Sequence, residues 1–160
     1  WAVTRHDTFS RDLVLQTFVG NHDVTRIASA VGDAKAVLAV VALMTLPGMP
    51  SVYYGDEQAF HGVKGSGADA DHPMRPALPD QPGDLPPDGW WMHDVHRRLV
   101  ALRRENPWLA RAHVEVEDKA NEWIRWTTSD GTRSMTIELA VAPQPTARVT
   151  VDGTTAFDWA

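Results

Sequence analysis

Asn21, His22 and Asp23 stand side by side in the stretch FVGNHD, residues 18–23. An amide, an imidazole and a carboxylate in consecutive positions are groups that hold a metal ion or fix a polar ligand through directed hydrogen bonds. A two-metal centre needs more, because two close cations demand several Asp and His donors from separate strand ends. Upstream lie only His6, Asp7 and Asp12, in a spacing that does not suit one. His93 and His96, three positions apart on one helix face, have no fitting set of further ligands, and no metal site is assigned. Asp56 and Glu57 are adjacent carboxylates, a pattern better suited to holding loops than to acid–base work. Arg26 reads as an ion-pair partner and Arg75 as the loop residue best placed to reach a ligand, while Tyr54, Trp90 and Trp91 read first as packing residues.

Composition narrows the classes. With 160 residues, 43% of them hydrophobic and seven of them tryptophan, the chain can bury a core. There is no cysteine, which removes disulfides, zinc–thiolate sites and cysteine nucleophiles. A net charge of -6 without a basic run argues against a nucleic-acid partner. The apolar run at residues 36–46 falls well short of the roughly 20 residues of a membrane-spanning helix, so no membrane partner is expected either. The chain opens on Trp1 rather than Met, and we expect it to be part of a longer protein.

The elements that must position Asn21, His22 and Asp23 follow from patterning. Residues 13–19, LVLQTFV, carry no charge and no proline and predict a strand buried on both faces, with the polar triplet just past its end. Gly32-Asp33 predicts a helix start, the apolar stretch AKAVLAVVALMTL its body and Pro47-Gly48 its stop. Residues 51–54, SVYY, predict a second strand and complete a βαβ unit. Residues 62–89, rich in proline, glycine and aspartate, predict a long loop able to wall a site. Met92, Val95, Leu99 and Leu102 then mark a helix with Arg97, Arg98, Arg103 and Arg104 facing solvent, ended by Asn106-Pro107. After residue 110 four strand-like runs alternate with turns at Asp130-Gly131 and Asp152-Gly153.

Two families share the letters of FVGNHD. Gly-Asn-His-Asp resembles a loop of calcineurin-like metallophosphoesterases, but the Asp-x-His, Gly-Asp-x-x-Asp and Gly-His-x-His motifs of that family have no counterpart here. FVGNHDVTRIAS, an apolar helix and then LPGMPSVYYGDE closely resemble the α-amylase family of glycosidases, glycoside hydrolase family 13, from the seventh barrel strand to just past the eighth. GADADHPMRP is similar to the family's Asp- and Arg-bearing loop, and WWMHDVHRRLVALRRENPWL to its final barrel helix. Where Gly20 stands the family commonly has Asp.

The resemblance implies an α/β fold: residues 1–110 as the C-terminal portion of a (β/α)8 barrel, and residues 111–160 as a small antiparallel β-sandwich domain that could be incomplete. It implies a retaining glycosidase acting on α-glucosidic bonds, with an α-glucan or maltooligosaccharide as substrate. Asp23 takes the role of transition-state stabiliser, His22 that of a donor to ring hydroxyls, and Asn21 and Arg75 contact substrate. The nucleophilic Asp and the acid/base Glu of the family belong to earlier strands, so the chain alone is expected to be inactive. No cofactor is evident, while the resemblance allows calcium in the longer protein, its usual ligands lying upstream. A non-catalytic carbohydrate-binding or interaction module is the competing expectation, and oligomeric state is not addressed.

Overall fold

The computed structural model describes all residues, Trp1–Ala160. Helix α1 (Ala2–Ser10) leads to strand β1 (Gln16–Thr17), helices α2 (Ile27–Val31) and α3 (Asp33–Thr45), strand β2 (Met49–Pro50), helix α4 (Trp90–Glu105) and five strands. These are β3 (His113–Lys119), β4 (Trp123–Ser129), β5 (Ser134–Ala140), β6 (Thr146–Val151) and β7 (Thr154–Trp159). The first two strands pair in parallel, Gln16 opposite Met49 and Thr17 opposite Pro50, with α3 as the crossover.

The βαβ unit is therefore present, with two corrections. The ladder in the first run covers two residues rather than the whole of 13–19, and Leu13 and Phe18 are 62% and 55% exposed rather than buried. A strand paired along one edge lacks the second neighbour that would cover such side chains. The second strand lies at Met49–Pro50, ahead of SVYY, because Met49 N–H donates to Leu15 O and Ser51 N–H to Thr17 O, each at 2.7 Å. Gly48 makes that approach feasible. Its φ is 107°, and a side chain there would run into the Leu15 carbonyl.

Helix α3 is buried nearly all round, as an Ala-, Val- and Leu-rich helix without a polar stripe must be. The carbonyls at its C-terminus and in the segment just beyond need donors, and α4 supplies them. Arg103 Nη1 donates to Met44 O (3.0 Å) and Leu46 O (2.6 Å), and Nη2 to Gly48 O (2.5 Å). Arg103 was expected to face solvent with the other arginines of its helix. It turns inward because three unpaired carbonyls and the helix dipole attract a cation there, and burial lowers its pKa to about 10.

The β portion is a meander in the order β3-β4-β5-β6-β7. Four of its strands match the expected runs, whereas β7 and the helix α1 were not foreseen. At the Asp152-Gly153 turn both residues have positive φ, 47° and 85°, the geometry of a tight hairpin. Trp126, Met135, Ile137, Val149 and Phe157 line the inner face of the sheet and join α3 and α4 in one cluster of 20 buried hydrophobic residues. The layer opposite the sheet is thus helical. On the outer face Arg125 pairs with Glu117 (3.0 Å) and Glu138 (3.5 Å), and Arg148 with Asp158 (3.1 Å).

Met92, Val95, Leu99 and Leu102 form the buried stripe of α4, and His96 is buried among them, its Nδ1 bonded to Met92 O at 3.0 Å. Burial lowers the His96 pKa from its ordinary value, with the Met92 bond opposing. The unfolded chain takes up this proton first, so the stability contributed by neutral His96 is complete above roughly pH 6.5 and is lost as pH falls through that value toward the folded one. Thermal melts from pH 8 to 5 should show this acid-side decline, and His96→Gln should flatten it; an unchanged acid limb in the variant would refute the assignment.

Candidate functional site

Downstream of β1 the chain turns through Gly20 into Asn21, His22 and Asp23. The turn is local: Asn21 Oδ1 accepts the Asp23 N–H at 2.8 Å, the side-chain-to-backbone bond that Asn favours in such loops. The Asp23 carboxylate projects outward. Its Oδ1 accepts from Arg75 Nη2 at 3.2 Å and its Oδ2 lies 3.3 Å from His22 Nε2. Arg75 Nε also donates to the His22 carbonyl at 3.3 Å. The structure thus gathers Asn21, His22, Asp23 and Arg75 at one place, although Arg75 is 52 positions from Asp23 in sequence. The side chains of His22 and Asp23 are 59% and 56% exposed, open to a ligand from solvent.

Arg26 builds the floor. It is 1% exposed, and its Nη1 donates to Tyr54 O (2.5 Å) and Asp56 Oδ1 (3.0 Å) while Nη2 donates to Met74 O (2.6 Å). Its guanidinium also lies 4.3 Å from the Tyr53 ring centroid. One side chain therefore ties the loop after β1 to the segment after β2 and to the turn that carries Arg75. Burial pushes the Asp56 carboxyl above the usual carboxylate range, against the Arg26 hydrogen bond and charge, which lower it. Glu57 Oε2 accepts the Gly55 N–H at 2.8 Å, so both adjacent carboxylates hold loops. Tyr54 donates its hydroxyl to Pro76 O at 3.0 Å, and Trp91 stacks on Trp159 at 5.8 Å between centroids.

Gly20 is explained by the same pair. A Cβ at this position would lie 2.8 Å from Asp56 Oδ2, a buried oxygen without a hydrogen-bond partner. An Asp there would meet both crowding and like charge. Two further residues complete the cluster: Lys64, which no sequence motif marks, and Asp71, which lies within the GADADHPMRP loop without being singled out there. Asp71 accepts from Arg75 Nη2 at 3.0 Å, and Lys64 Nζ donates to Asp23 O at 2.7 Å. Asp71 precedes Arg75 by four positions, a spacing that could have flagged it, whereas nothing near Lys64 points to Asp23. No three or more His, Asp or Glu side chains are gathered in a way that would hold a metal, and no helix is long and apolar enough to cross a membrane.

An exposed carboxylate flanked by an imidazole and a guanidinium, on a loop fixed from beneath, can hold hydroxyl groups and stabilise positive charge that develops beside it. Known proteins carry the same arrangement of segments. Residues 2–137 match the family model described as alpha amylase, catalytic domain. The 4-alpha-glucanotransferase of Thermotoga maritima is 43% identical over 56 residues, covering 33% of this chain and 13% of that protein. The cyclomaltodextrin glucanotransferase of Geobacillus stearothermophilus is 32% identical over 115 residues, covering 71% of this chain and 14% of that protein. Among solved structures, the alpha-amylase from Geobacillus thermoleovorans complexed with acarbose superposes with a TM-score of 0.65 at 22% identity, over 86% of this chain and 30% of that one. The chain thus spans about one seventh of the length of these curated relatives. The expected fold class holds as the end of a (β/α)8 barrel followed by an antiparallel β portion, which is a single five-stranded sheet backed by helices rather than the two packed sheets of a sandwich.

Removing one member of a buried ion pair leaves the other uncompensated, so Arg26→Ala should lower stability by about 3–5 kcal/mol. Arg26→Lys should not restore it, because an ammonium cannot reproduce the fork. Urea unfolding of the variants checks this; a loss below about 1 kcal/mol, the level of a surface pair, would contradict the role given to Arg26.

Proposed function

The chain belongs to the α-amylase catalytic-domain family, and from that premise we propose that the full-length protein cleaves or transfers α-glucosidic bonds, with Asp23 as its transition-state stabiliser. The observation that carries the reading is the Asp23 carboxylate, held between Arg75 and His22 and half open to solvent. A retaining glycosidase passes through an oxocarbenium-like transition state, in which hydrogen bonds to ring hydroxyls strengthen as charge develops. A fixed carboxylate meets that need, and each charge-assisted hydrogen bond contributes about 1.5–3 kcal/mol.

In this reading His22 donates to a ring hydroxyl, Asn21 shapes the turn and touches substrate, and Arg75 orients Asp23 while reaching the sugar. The substrate is an α-glucan or maltooligosaccharide, a choice supported by relatives named for glucan transfer and by an α-amylase as structural neighbour. Residues 1–110 contribute the end of the barrel and 111–160 the antiparallel portion. The chemistry needs a nucleophilic carboxylate and an acid/base carboxylate about 5 Å apart. We assign both to segments outside these 160 residues, which makes the isolated chain inactive.

In the full-length enzyme Asp23→Asn should lower kcat by on the order of 10²–10³, the scale of losing one preorganised transition-state contact. Steady-state rates on maltooligosaccharides, with circular dichroism to confirm folding, check this, and an unchanged kcat would remove Asp23 from the mechanism. The isolated 160 residues should release no reducing sugar from starch; release would show a complete catalytic set within them.

A further inference from the structure

The outer face of the five-stranded sheet carries an aromatic side chain that neither the core nor the cluster around Asp23 uses. Side chains alternate along a strand, and in β4 Trp126 and Thr128 turn to the core, so Trp123 and Arg125 stand on the opposite face. Trp123 is 39% exposed. Its cross-strand neighbours explain why: Trp123 faces Ala140 in β5, and Ala140 faces Thr146 in β6, two small side chains that cannot cover an indole. One row further along the same face, Glu138 stands opposite Arg148 and Arg148 opposite Asp158. Between the two rows lies a cleft of about 350 Å³ that all six residues line, within the roughly 300–1,000 Å³ of small-ligand sites. It shares no residue with the cluster around Asp23.

We propose that this cleft is a second carbohydrate site, which anchors an α-glucan chain on the sheet while another part of the chain occupies the catalytic cluster. A pyranose ring presents an apolar C–H face that suits an uncovered indole, and a rim of hydroxyls that needs donors and acceptors together. The charged row supplies both. Arg148 engages Asp158 through Nε alone, at 3.1 Å, which leaves its terminal nitrogens to donate. Glu138 meets Arg125 through Oε1, at 3.5 Å, which leaves Oε2 to accept. Two carboxylates against one guanidinium leave the cleft without surplus positive charge, unlike a site for phosphate or nucleic acid. The same charges argue against a second protein, since the buried centre of a protein interface is poor in charged residues. The choice of an α-glucan among carbohydrates rests on the substrate proposed above, whereas the platform itself rests on the sheet. Anchoring a polymer at one site raises its effective concentration at the other, a gain that a short oligosaccharide cannot share.

The test uses the full-length enzyme, with adsorption to granular starch and turnover of maltotetraose as the two readouts. Trp123→Ala should weaken adsorption by about tenfold, the scale of truncating one anchoring aromatic, and should slow hydrolysis of the granules. Its kcat and KM on maltotetraose should stay within about twofold of the parent enzyme. Trp123→Tyr, which keeps an aromatic face, should retain most of the adsorption. Ala140→Glu fills the floor of the cleft without removing a core contact, and should reproduce the loss seen in Trp123→Ala. Full adsorption in Ala140→Glu and Trp123→Ala overturns the inference, as does a parent enzyme that does not adsorb or an equal loss on granules and maltotetraose. If maltotetraose is turned over while adsorption ignores Trp123, the cleft alone is refuted and the proposed function stands. A full-length protein inactive on every α-glucan overturns the proposed function, and with it the assignment of an α-glucan to this cleft.

Discussion

A guanidinium buried to within 1% of full enclosure is an expensive feature unless almost every polar contact around it is made. Arg26 meets that condition only in part, drawing in partners from two distant segments, Tyr54 O and Asp56 after β2 and Met74 O in the loop beyond, while its Nε stays unpartnered. The requirement runs in both directions. The charge can be buried only if these segments converge, and once they converge the residue next to Met74 is Arg75, which reaches Asp23. The geometry of the exposed cluster is thus set by a charge that never meets solvent. Gly20 belongs to the same constraint, since its missing side chain leaves room for the Asp56 carboxylate.

A second constraint operates further from the site. Helix α3 has apolar side chains on almost every face, so it is stable only if it is covered from several directions. One cover is α4 and another is the inner face of the sheet, and their side chains merge with it into a single cluster. Arg103 caps α3 from α4, and Thr128 in β4 donates to Thr45 O at 3.2 Å from the opposite side. Helix α1 is tied to the same assembly by Asp7, whose carboxylate accepts the Val114 N–H at 2.8 Å. The sheet is therefore part of what holds the βαβ unit, although its strands come last in the chain.

Much of this was legible in the sequence where the pattern is local. The 3.6-residue spacing of Met92, Val95, Leu99 and Leu102, the apolar body of α3 and the Asp-Gly turns each depend on neighbours in sequence. What was misread depends on partners far away. The charge-free run at 13–19 looks fully buried but pairs along one edge, and Arg103 looks solvated until the carbonyls of α3 are placed beside it. The strand β7 and the helix α1 have weak intrinsic patterns and are held by tertiary contacts. At the site, the triplet after β1 was legible because three chemically rich residues adjoin. Lys64 was not, because its relation to Asp23 exists only after 41 residues of chain have folded back.

The charged row on the outer face of the sheet bears on register. Alternation of apolar and polar side chains forbids a slip by one residue, which would turn every core residue outward, but a slip by two keeps the apolar face inward. Here Arg125 faces Glu138, Glu138 faces Arg148 and Arg148 faces Asp158 across successive strands. A shift of two would set Arg125 against Thr136 or Ala140, and Glu138 against Thr146 or Thr150, so each slipped pairing forfeits an attraction of about 0.2–1 kcal/mol. Opposite charges repeated across four strands thus act as an alignment code, excluding the misalignments that hydrophobic patterning alone would tolerate.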